Sequence, residues 1–138
     1  MIELRGSQLN SPETEVAIAF FDRYRRDFDS NDWKAFTAHF HEPFVTVRSD
    51  GSVHFLPSRV EAEKFFQTVA DNWQREGYDR FSTTNYAVMP IGKFSLLATF
   101  DWEMLRQDGS LVRKWRQSYQ LISVERQWKV LASTFHAT

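Results

Sequence analysis

Asp108-Gly109 separates two runs of alternating apolar and polar residues, and this feature constrains the fold more than any other part of the chain. Such a dipeptide indicates a β-hairpin because both central positions of a type I′ turn favour positive φ. Counting outward from the turn predicts one face with these opposed pairs: Met104 and Arg113, Trp102 and Trp115, Phe100 and Gln117, Ala98 and Tyr119, and Leu96 and Leu121. The other face is predicted to oppose Glu103 to Lys114, Asp101 to Arg116, and Thr99 to Ser118. An aromatic face backed by a charged one is typical of an antiparallel sheet with one buried side.

Two further turns extend the predicted sheet, since Ile91-Gly92 and Glu125-Arg126 also separate alternating runs. Counting from all three turns places one apolar set on a common buried face: Phe81, Phe100, Trp102, Trp115, Tyr119, Leu121, Trp128 and Val130. The same counting places a polar minority on that face: Thr83, Asn85, Arg113, Gln117, Thr134 and His136. Buried polar groups need partners, so this minority is where we expect a ligand or an internal hydrogen-bond network.

The composition narrows the class of protein. A chain of 138 residues has the size of one domain, and 13 Phe and 5 Trp in that length favour a bulky core or an apolar cavity. A net charge of −1 provides no electrostatic attraction to nucleic acid, so no nucleic-acid partner is expected. The absence of cysteine excludes disulfides and cysteine zinc sites, and no apolar run is long enough to cross a membrane. We therefore expect a cytoplasmic protein without a membrane partner, in which residues 1–11 form a flexible N-terminal segment.

The chain before these hairpins is predicted to form a helix, a second helix, a hairpin and a third helix. Residues 12–28 repeat apolar side chains at steps of four, as one face of a helix does. A short second helix is predicted to end before Pro43, and a hairpin is predicted to turn at Asp50-Gly51. The third helix is predicted to begin at the capping-box pattern of residues 58–61 and to end near Gly77. The predicted order is therefore ααββαββββ, an α+β fold.

Several short patterns, taken in order, carry a resemblance to a known family: Arg23-Tyr24 followed by Asn31-Asp32-Trp33, His39-Phe40 before a strand, Phe65-Phe66 on the third helix, and Gln127-Trp128-Lys129-Val130 at the last strand. In order and spacing they resemble the NTF2-like superfamily, especially its SnoaL-like branch. The resemblance implies a single domain over residues 1–138, in which three N-terminal helices pack on a strongly bent mixed sheet to form a cone with an interior pocket. It also implies a homodimer through the outer face of the sheet, to which Tyr86, Val88 and Leu97 are expected to contribute.

Ketosteroid isomerases are the sharpest functional comparison within that resemblance. Their chemistry needs a carboxylate base and a hydroxyl or acid directed at the developing enolate oxygen. Tyr24 falls where this family often places its oxyanion tyrosine, but a helical core tyrosine with one satisfied hydroxyl is the favoured explanation. The corresponding region for the base reads Thr-Val-Arg-Ser at 46–49, and Asp50 is explained as the turn residue. Ketosteroid isomerase activity itself is therefore not expected.

Histidines are the next candidates for proton transfer because they titrate near neutral pH. His136 is predicted on the inner face opposite Trp115, and His54 is predicted on a strand in register with Val47. A fraying terminal residue and a satisfied strand residue are the structural alternatives. His39, His41 and Glu42 lie close in sequence, but their position before Pro43 favours capping and a turn, so we predict no metal site.

Arg113 is the cation predicted beside Met104 and Trp115 on the inner face, where a guanidinium can bind a carboxylate bidentately. The alternative is an arginine that extends over an aromatic rim to solvent. The remaining residues expected to line a ligand cavity are Asn85, Trp102, Trp115, Gln117, Tyr119 and Thr134. A mutually satisfied core network is the alternative explanation for their polar members.

Three functional hypotheses follow. The first is a protein whose pocket binds a small, largely apolar or aromatic molecule with an acceptor or carboxylate group. The second is a cofactor-free enzyme for isomerisation, dehydration, cyclisation or hydrolysis, with His54 or His136 transferring protons, Tyr24 donating a hydrogen bond and Arg113 holding an anion. The third is a homo-oligomeric association module whose cone is filled by its own side chains. An adaptor that recognises a partner peptide is a further possibility, for which no residue is singled out.

Overall fold

The computed structural model describes residues 10–137, so residues 1–9 of the predicted flexible segment lie outside the described part of the chain. The elements follow one another as α1 (Pro12–Asp29), α2 (Trp33–Thr37), β1 (Phe40–Val47), β2 (Val53–Leu56), α3 (Arg59–Arg75), β3 (Arg80–Ile91), β4 (Ser95–Leu105), β5 (Leu111–Val124) and β6 (Gln127–Phe135). The predicted order and the α+β class are confirmed. No helix within residues 10–137 is both long and apolar enough to span a membrane.

The two long helices begin where side chains satisfy their free backbone N–H groups. The Ser11 hydroxyl accepts a hydrogen bond from Thr14 N at 3.1 Å, and Pro12 occupies the first helical position of α1. The Ser58 hydroxyl accepts from Glu61 N at 3.3 Å at the start of α3. One face of α1 is buried, and its members are Ala17, Phe20, Phe21, Tyr24 and Phe28. The helices therefore present aromatic faces to the sheet.

The six strands form one mixed sheet in the order β2-β1-β6-β5-β4-β3. Strands β1 and β6 are parallel, and all other neighbours are antiparallel. The core between helices and sheet is dominated by aromatic rings, among which Phe20, Phe21, Phe36, Phe44 and Phe100 are fully buried. This arrangement is the predicted NTF2-like cone.

The hairpin of β4 and β5 has the register predicted from Asp108-Gly109. All eight strand pairs predicted for its two faces are present. Two opposed residues on the charged face also form an ion pair, with Arg116 Nη1 3.0 Å from Asp101 Oδ1. Because every predicted pair is present, sequence patterning describes the inner face of this hairpin correctly.

Counting from Ile91-Gly92 predicts Met89 opposite Phe94 and Thr83 opposite Phe100, and this register of β3 against β4 is wrong. The turn consists of residues 92–94, so Ile91 lies opposite Ser95, and a β-bulge places Asn85 and Tyr86 together opposite Phe100. A bulge adds one residue to a strand and reverses the faces on one side of it. Asn85, at φ +58°, therefore lies on the outer face, where its Nδ2 donates to Asp101 Oδ2 at 2.8 Å. Tyr86 lies on the inner face and stacks on Phe100 with ring centroids 4.7 Å apart, and Val88 lies on the same face opposite the buried Ala98, so the predicted positions of Asn85, Tyr86 and Val88 are all wrong.

The predicted register of β5 against β6 holds only near the turn. Leu121 lies opposite Val130, but Leu131 is an extra residue, so Gln120 lies opposite Ala132. Ser133 and Phe135 consequently face the core. The residues predicted there, Thr134 and His136, are exposed instead. These predictions fail because counting from a turn assumes an unbroken ladder, whereas a bulge redirects every later side chain.

The bulge at Asn85 leads to a stability prediction. Asn tolerates positive φ, whereas a β-branched side chain at φ +58° is strained. We expect Asn85→Val to lower the free energy of unfolding by about 1–3 kcal/mol. Asn85→Gly should cost less, because glycine accepts this φ and loses only the amide bond to Asp101. Equal losses in urea denaturation of the two variants would attribute the effect to that hydrogen bond and contradict the backbone explanation.

Candidate ligand-binding cavity

A narrow cavity lies inside the cone between the helices and the inner face of the sheet. The volume of this cavity is about 30 Å³. Its walls are aromatic, with Phe28, Phe36, Phe66, Phe81, Trp102 and Phe135 among them. The polar members of the lining are Tyr24, Arg25, Arg48, Gln117, Tyr119 and Ser133. A space of this size holds a few waters and is far below the ~300–1,000 Å³ typical of sites for drug-sized ligands, so aromatic side chains fill most of the cone.

Two tyrosines meet at the inner end of this cavity. Trp102 Nε1 donates to the Tyr119 hydroxyl at 2.8 Å, and the Tyr24 hydroxyl interacts with the same group. That interaction can use at most one of the two hydroxyl protons. Within residues 10–137 neither hydroxyl donates to any other acceptor. At least one O–H donor is therefore left for the cavity.

Both phenols remain protonated at neutral pH. Burial raises the pKa of Tyr24 well above its usual value, and the neighbouring Tyr119 raises it further. Burial also raises the pKa of Tyr119, against the hydrogen bond from Trp102. The two hydroxyls can thus donate hydrogen bonds, but they do not provide a general base.

Arg48 brings a positive charge to the cavity from the end of β1. Its Cζ lies 4.4 Å from the Phe135 ring centroid and 5.3 Å from that of Phe65. Its Nη1 donates to Thr46 Oγ1 at 3.3 Å. No carboxylate of the described residues lies within ion-pair distance of this guanidinium. Burial lowers the pKa of Arg48, but an arginine side chain stays protonated in proteins.

Sequence reasoning missed Arg48, although a signal was present. The region 46–49 was considered only for the carboxylate base that it lacks. Side chains two residues apart share a face of a strand, and Thr46 is completely buried. Alternation along β1 therefore places Arg48 on the inner face.

Gln117 contributes a second polar group to the wall. Its side chain is buried, and Oε1 accepts from Trp115 Nε1 at 3.0 Å. Its amide nitrogen donates to no acceptor of the described chain. The nearby hydroxyls of Ser133 and Thr46 bond to each other at 2.8 Å. Gln117 thus offers the cavity an N–H donor.

Two half-buried indoles line the cavity near the protein surface, and this part of the cavity is its mouth. The ring centroids of Trp73, on α3, and Trp115, on β5, are 5.6 Å apart. Arg113 covers Trp115 from outside, with Cζ 4.9 Å from the ring centroid, and its Nε pairs with Glu76 Oε1 at 3.1 Å. Arg113 lies opposite Met104 as predicted, but its side chain is exposed at the rim and outside the cavity lining, which is the second of the two interpretations offered for it.

The structure brings together five of the predicted site residues: Tyr24, Trp102, Trp115, Gln117 and Tyr119. Asn85 and Thr134 lie on the outer face, so their predicted inner-face positions are wrong. His136 also lies outside, where its Nε2 is 2.8 Å from Ser118 Oγ.

His54 lies opposite Thr46, one residue from its predicted partner Val47. Its ring centroid is 5.1 Å from that of Phe65, and its Nε2 is 3.2 Å from Ser52 Oγ. It is outside the cavity lining.

The histidine and carboxylate cluster near Pro43 has structural partners. His39 Nε2 is 2.7 Å from Asp27 Oδ2, and His41 Nδ1 is 2.9 Å from the Pro43 carbonyl. Glu42 accepts from Arg59 N at 2.7 Å, which caps α3. Within the described range, no three metal-binding side chains come together here or elsewhere.

Several solved structures share this fold. Aln2 from a Streptomyces species is 18% identical, with a TM-score of 0.74 and 94% of each chain covered. A protein of unknown function with a cystatin-like fold from Nostoc punctiforme is 11% identical, with a TM-score of 0.74 and 92% of each chain covered. A putative calcium/calmodulin dependent protein kinase II association domain from Xanthomonas campestris is 13% identical, with a TM-score of 0.68 over 99% of this chain and 93% of that one.

At these identities the likeness shows the fold alone, and no curated protein matches the sequence. The family described as NTF2-like protein (DUF6841) matches residues 13–138, and the chain therefore belongs to this NTF2-like family.

Proposed function

We propose that the protein binds a small molecule with a hydrogen-bond acceptor inside the cone. One observation carries this proposal: three groups in the cavity lining keep N–H or O–H donors that no acceptor of the described chain uses. They are the Arg48 guanidinium, one hydroxyl of the Tyr24 and Tyr119 pair, and the Gln117 amide. A buried donor without a partner costs free energy, and an acceptor on a ligand recovers that cost.

Binding is better supported than acid–base catalysis. Within the described residues, the cavity lining includes neither a histidine nor a carboxylate. The two buried phenols have raised pKa values and hold their protons. A cofactor-free SnoaL-like enzyme is the alternative, and it would need a proton acceptor from the substrate or solvent. The proposal is therefore a binding protein of the NTF2-like fold.

Ligand-observed NMR with a library of small aromatic acceptors tests this function. We expect some compounds to bind with Kd of about 1 mM or tighter. Tyr119→Phe should weaken these hits roughly tenfold, because it removes a donor at the end of the cavity. Tyr86→Phe is the matched control, since the Tyr86 hydroxyl donates to Thr83 Oγ1 at 2.9 Å outside the cavity lining. A library without hits, or equal losses in both variants, would contradict the proposal.

We also propose that the outer face of the sheet joins two copies of the chain. Outward-facing residues that are paired in register form one transverse row across all six strands: Phe55, Val45, Ala132, Gln120, Leu97 and Met89. Phe55 is 61% exposed and Met89 is 55% exposed. A nearly apolar row across an open sheet is typical of a surface covered by a partner, and a second copy supplies the same row.

Light scattering after gel filtration tests the association. The wild-type chain should elute with twice the monomer mass of 16.3 kDa. Leu97→Lys should shift it to the monomer, because a charge in the row is costly to bury. Leu111→Lys, at a 48% exposed residue outside the row, should leave the mass unchanged. A monomeric wild type would refute this second proposal.

A further inference from the structure

We infer that the ligand of the cavity is a monoanionic aromatic carboxylic acid, with its carboxylate inside at Arg48 and its ring at the mouth beside Trp73 and Trp115. This inference rests on the proposed binding function and specifies its ligand class. It combines the charge of the lining, the donor geometry, and the distribution of space between interior and mouth.

The charge of the cavity selects a single negative charge. Arg25 and Arg48 are its two cationic lining residues, and Arg25 Nε lies 3.7 Å from Asp22 Oδ1. Arg48 has no such partner among the described residues. A monoanion would neutralise it, whereas a neutral ligand leaves the cation unpaired and a dianion leaves an excess negative charge in aromatic surroundings.

The donor geometry selects a planar acid group. A guanidinium presents its N–H groups in a rigid planar fork that matches the two oxygens of a carboxylate. Arg48 uses one bond, at 3.3 Å, to Thr46 Oγ1, and the rings of Phe65 and Phe135 hold its position. The remaining N–H groups are available to a carboxylate. The donors of Gln117 and the tyrosine pair line the same cavity.

The available space indicates which part of the ligand lies in the interior and which part lies at the mouth. The interior volume of about 30 Å³ accommodates a group of a few atoms but no aromatic ring. The ring must therefore lie at the mouth, where Trp73 and Trp115 are half-buried. Trp115 also stacks on Phe135, with an interplanar angle of 15° and centroids 5.5 Å apart. Because Phe135 and Arg113 both lie against the Trp115 ring, a ligand ring would meet the edges of the two indoles, and edge contacts are among those that aromatic pairs prefer.

Four probes of similar shape test the class: benzoate, benzamide, phenylphosphonate and benzylammonium. They are titrated by NMR in slightly alkaline buffer, where phenylphosphonate is a dianion. We expect benzoate to bind at least ~10-fold more tightly than the other three. Its binding should move the indole N–H signals of Trp73 and Trp115. The signal of Trp128, which is outside the cavity lining, should stay in place.

Arg48→Gln should weaken benzoate binding roughly 10- to 150-fold and abolish its advantage over benzamide, as expected for lost bonds to a charged group. Arg48→Lys keeps the positive charge but loses the planar fork of N–H groups. Its affinity for benzoate should therefore lie between those of the wild type and Arg48→Gln. Arg106→Gln is the control, because Arg106 Nη1 bonds to the Leu111 carbonyl at 2.8 Å in the β4–β5 turn. A cooperative thermal unfolding transition establishes that each variant is folded. If Arg48→Gln does not fold, the comparison is made with Arg48→Lys instead.

Three results would overturn the inference. The first is that benzoate does not bind, and the second is that benzamide binds as tightly as benzoate. The third is that Arg113→Gln weakens benzoate binding as much as Arg48→Gln does, or more. The proposed function is decided separately, because library hits that weaken in Tyr119→Phe but not in Tyr86→Phe support an interior site whatever their charge.

Discussion

Phe21→Ala is expected to lower the free energy of unfolding by about 3–5 kcal/mol. Phe21 is 0% exposed and joins α1 to the inner face of the sheet. Its ring centroid lies 4.6 Å from that of Phe100 and 4.7 Å from that of Tyr119. Its removal forfeits these aromatic contacts and leaves a void that rings held by strands and helices cannot fill.

Urea denaturation at one fixed protein concentration measures this loss, since association would otherwise alter the apparent stability. Phe94→Ala is the matched control, because Phe94 is 68% exposed in the turn between β3 and β4. Its effect should stay within about 0.5 kcal/mol. Comparable losses in the two variants would contradict the view that the interlocked aromatic core carries the stability of the cone.

The second large effect concerns a buried carboxyl group. Asp29 is the last residue of α1, where the negative end of the helix dipole disfavours a carboxylate. Its Oδ1 accepts from the Tyr78 hydroxyl at 2.5 Å, and its Oδ2 accepts from Phe81 N at 3.3 Å. Burial nevertheless outweighs these bonds and raises the pKa of Asp29 from 3.8 to about 6. The fold thus favours the protonated form of this group.

The sign of the pH dependence follows from this raised pKa. The contribution of Asp29 to stability is fully present below about pH 4 and is lost as the pH rises through about 6. The loss is at most about 3 kcal/mol, since one pKa unit corresponds to ~1.4 kcal/mol. Asp29→Asn should remove this dependence, because the amide is neutral and its oxygen still accepts from Tyr78.

Urea denaturation near pH 4 and pH 7 provides the measurement. Relative to the wild type, Asp29→Asn should gain stability as the pH rises. Asp71→Asn, on the exposed surface of α3, is the control and should follow the wild type. A wild type that gains stability over Asp29→Asn with rising pH would mean that the bonds from Tyr78 and Phe81 outweigh burial.

Much of the fold was accessible from local sequence rules. The caps at Ser11 and Ser58 were predictable because a side-chain oxygen there satisfies backbone N–H groups a few residues away. The register of β4 and β5 was predictable because the Asp108-Gly109 turn and two alternating runs agree on it. In both cases, the residues that decide the structure are neighbours in the chain.

The cavity was predictable only where the strand ladder is unbroken. Tyr119, Gln117 and Trp102 were assigned to the inner face from the β4–β5 hairpin, and they line the cavity. Thr134 and His136 were assigned across the bulge at Leu131, and both lie outside. Each bulge exchanges the two faces beyond it, so the error affects whole strand segments rather than single residues.

The sequence by itself determined the order of elements, the boundaries of the two long helices and the aromatic inner face, because capping and alternation depend on residues close in the chain, whereas α2 ends at Thr37 and not near Pro43 as predicted. Only the tertiary structure decided that the cone is largely filled and that its remaining space meets the guanidinium of Arg48, to which the described residues offer no carboxylate. The physical reason is that bulges and side-chain packing depend on how strands distant in sequence meet as the sheet bends. The composition gives the number of rings but not the space that they leave between them.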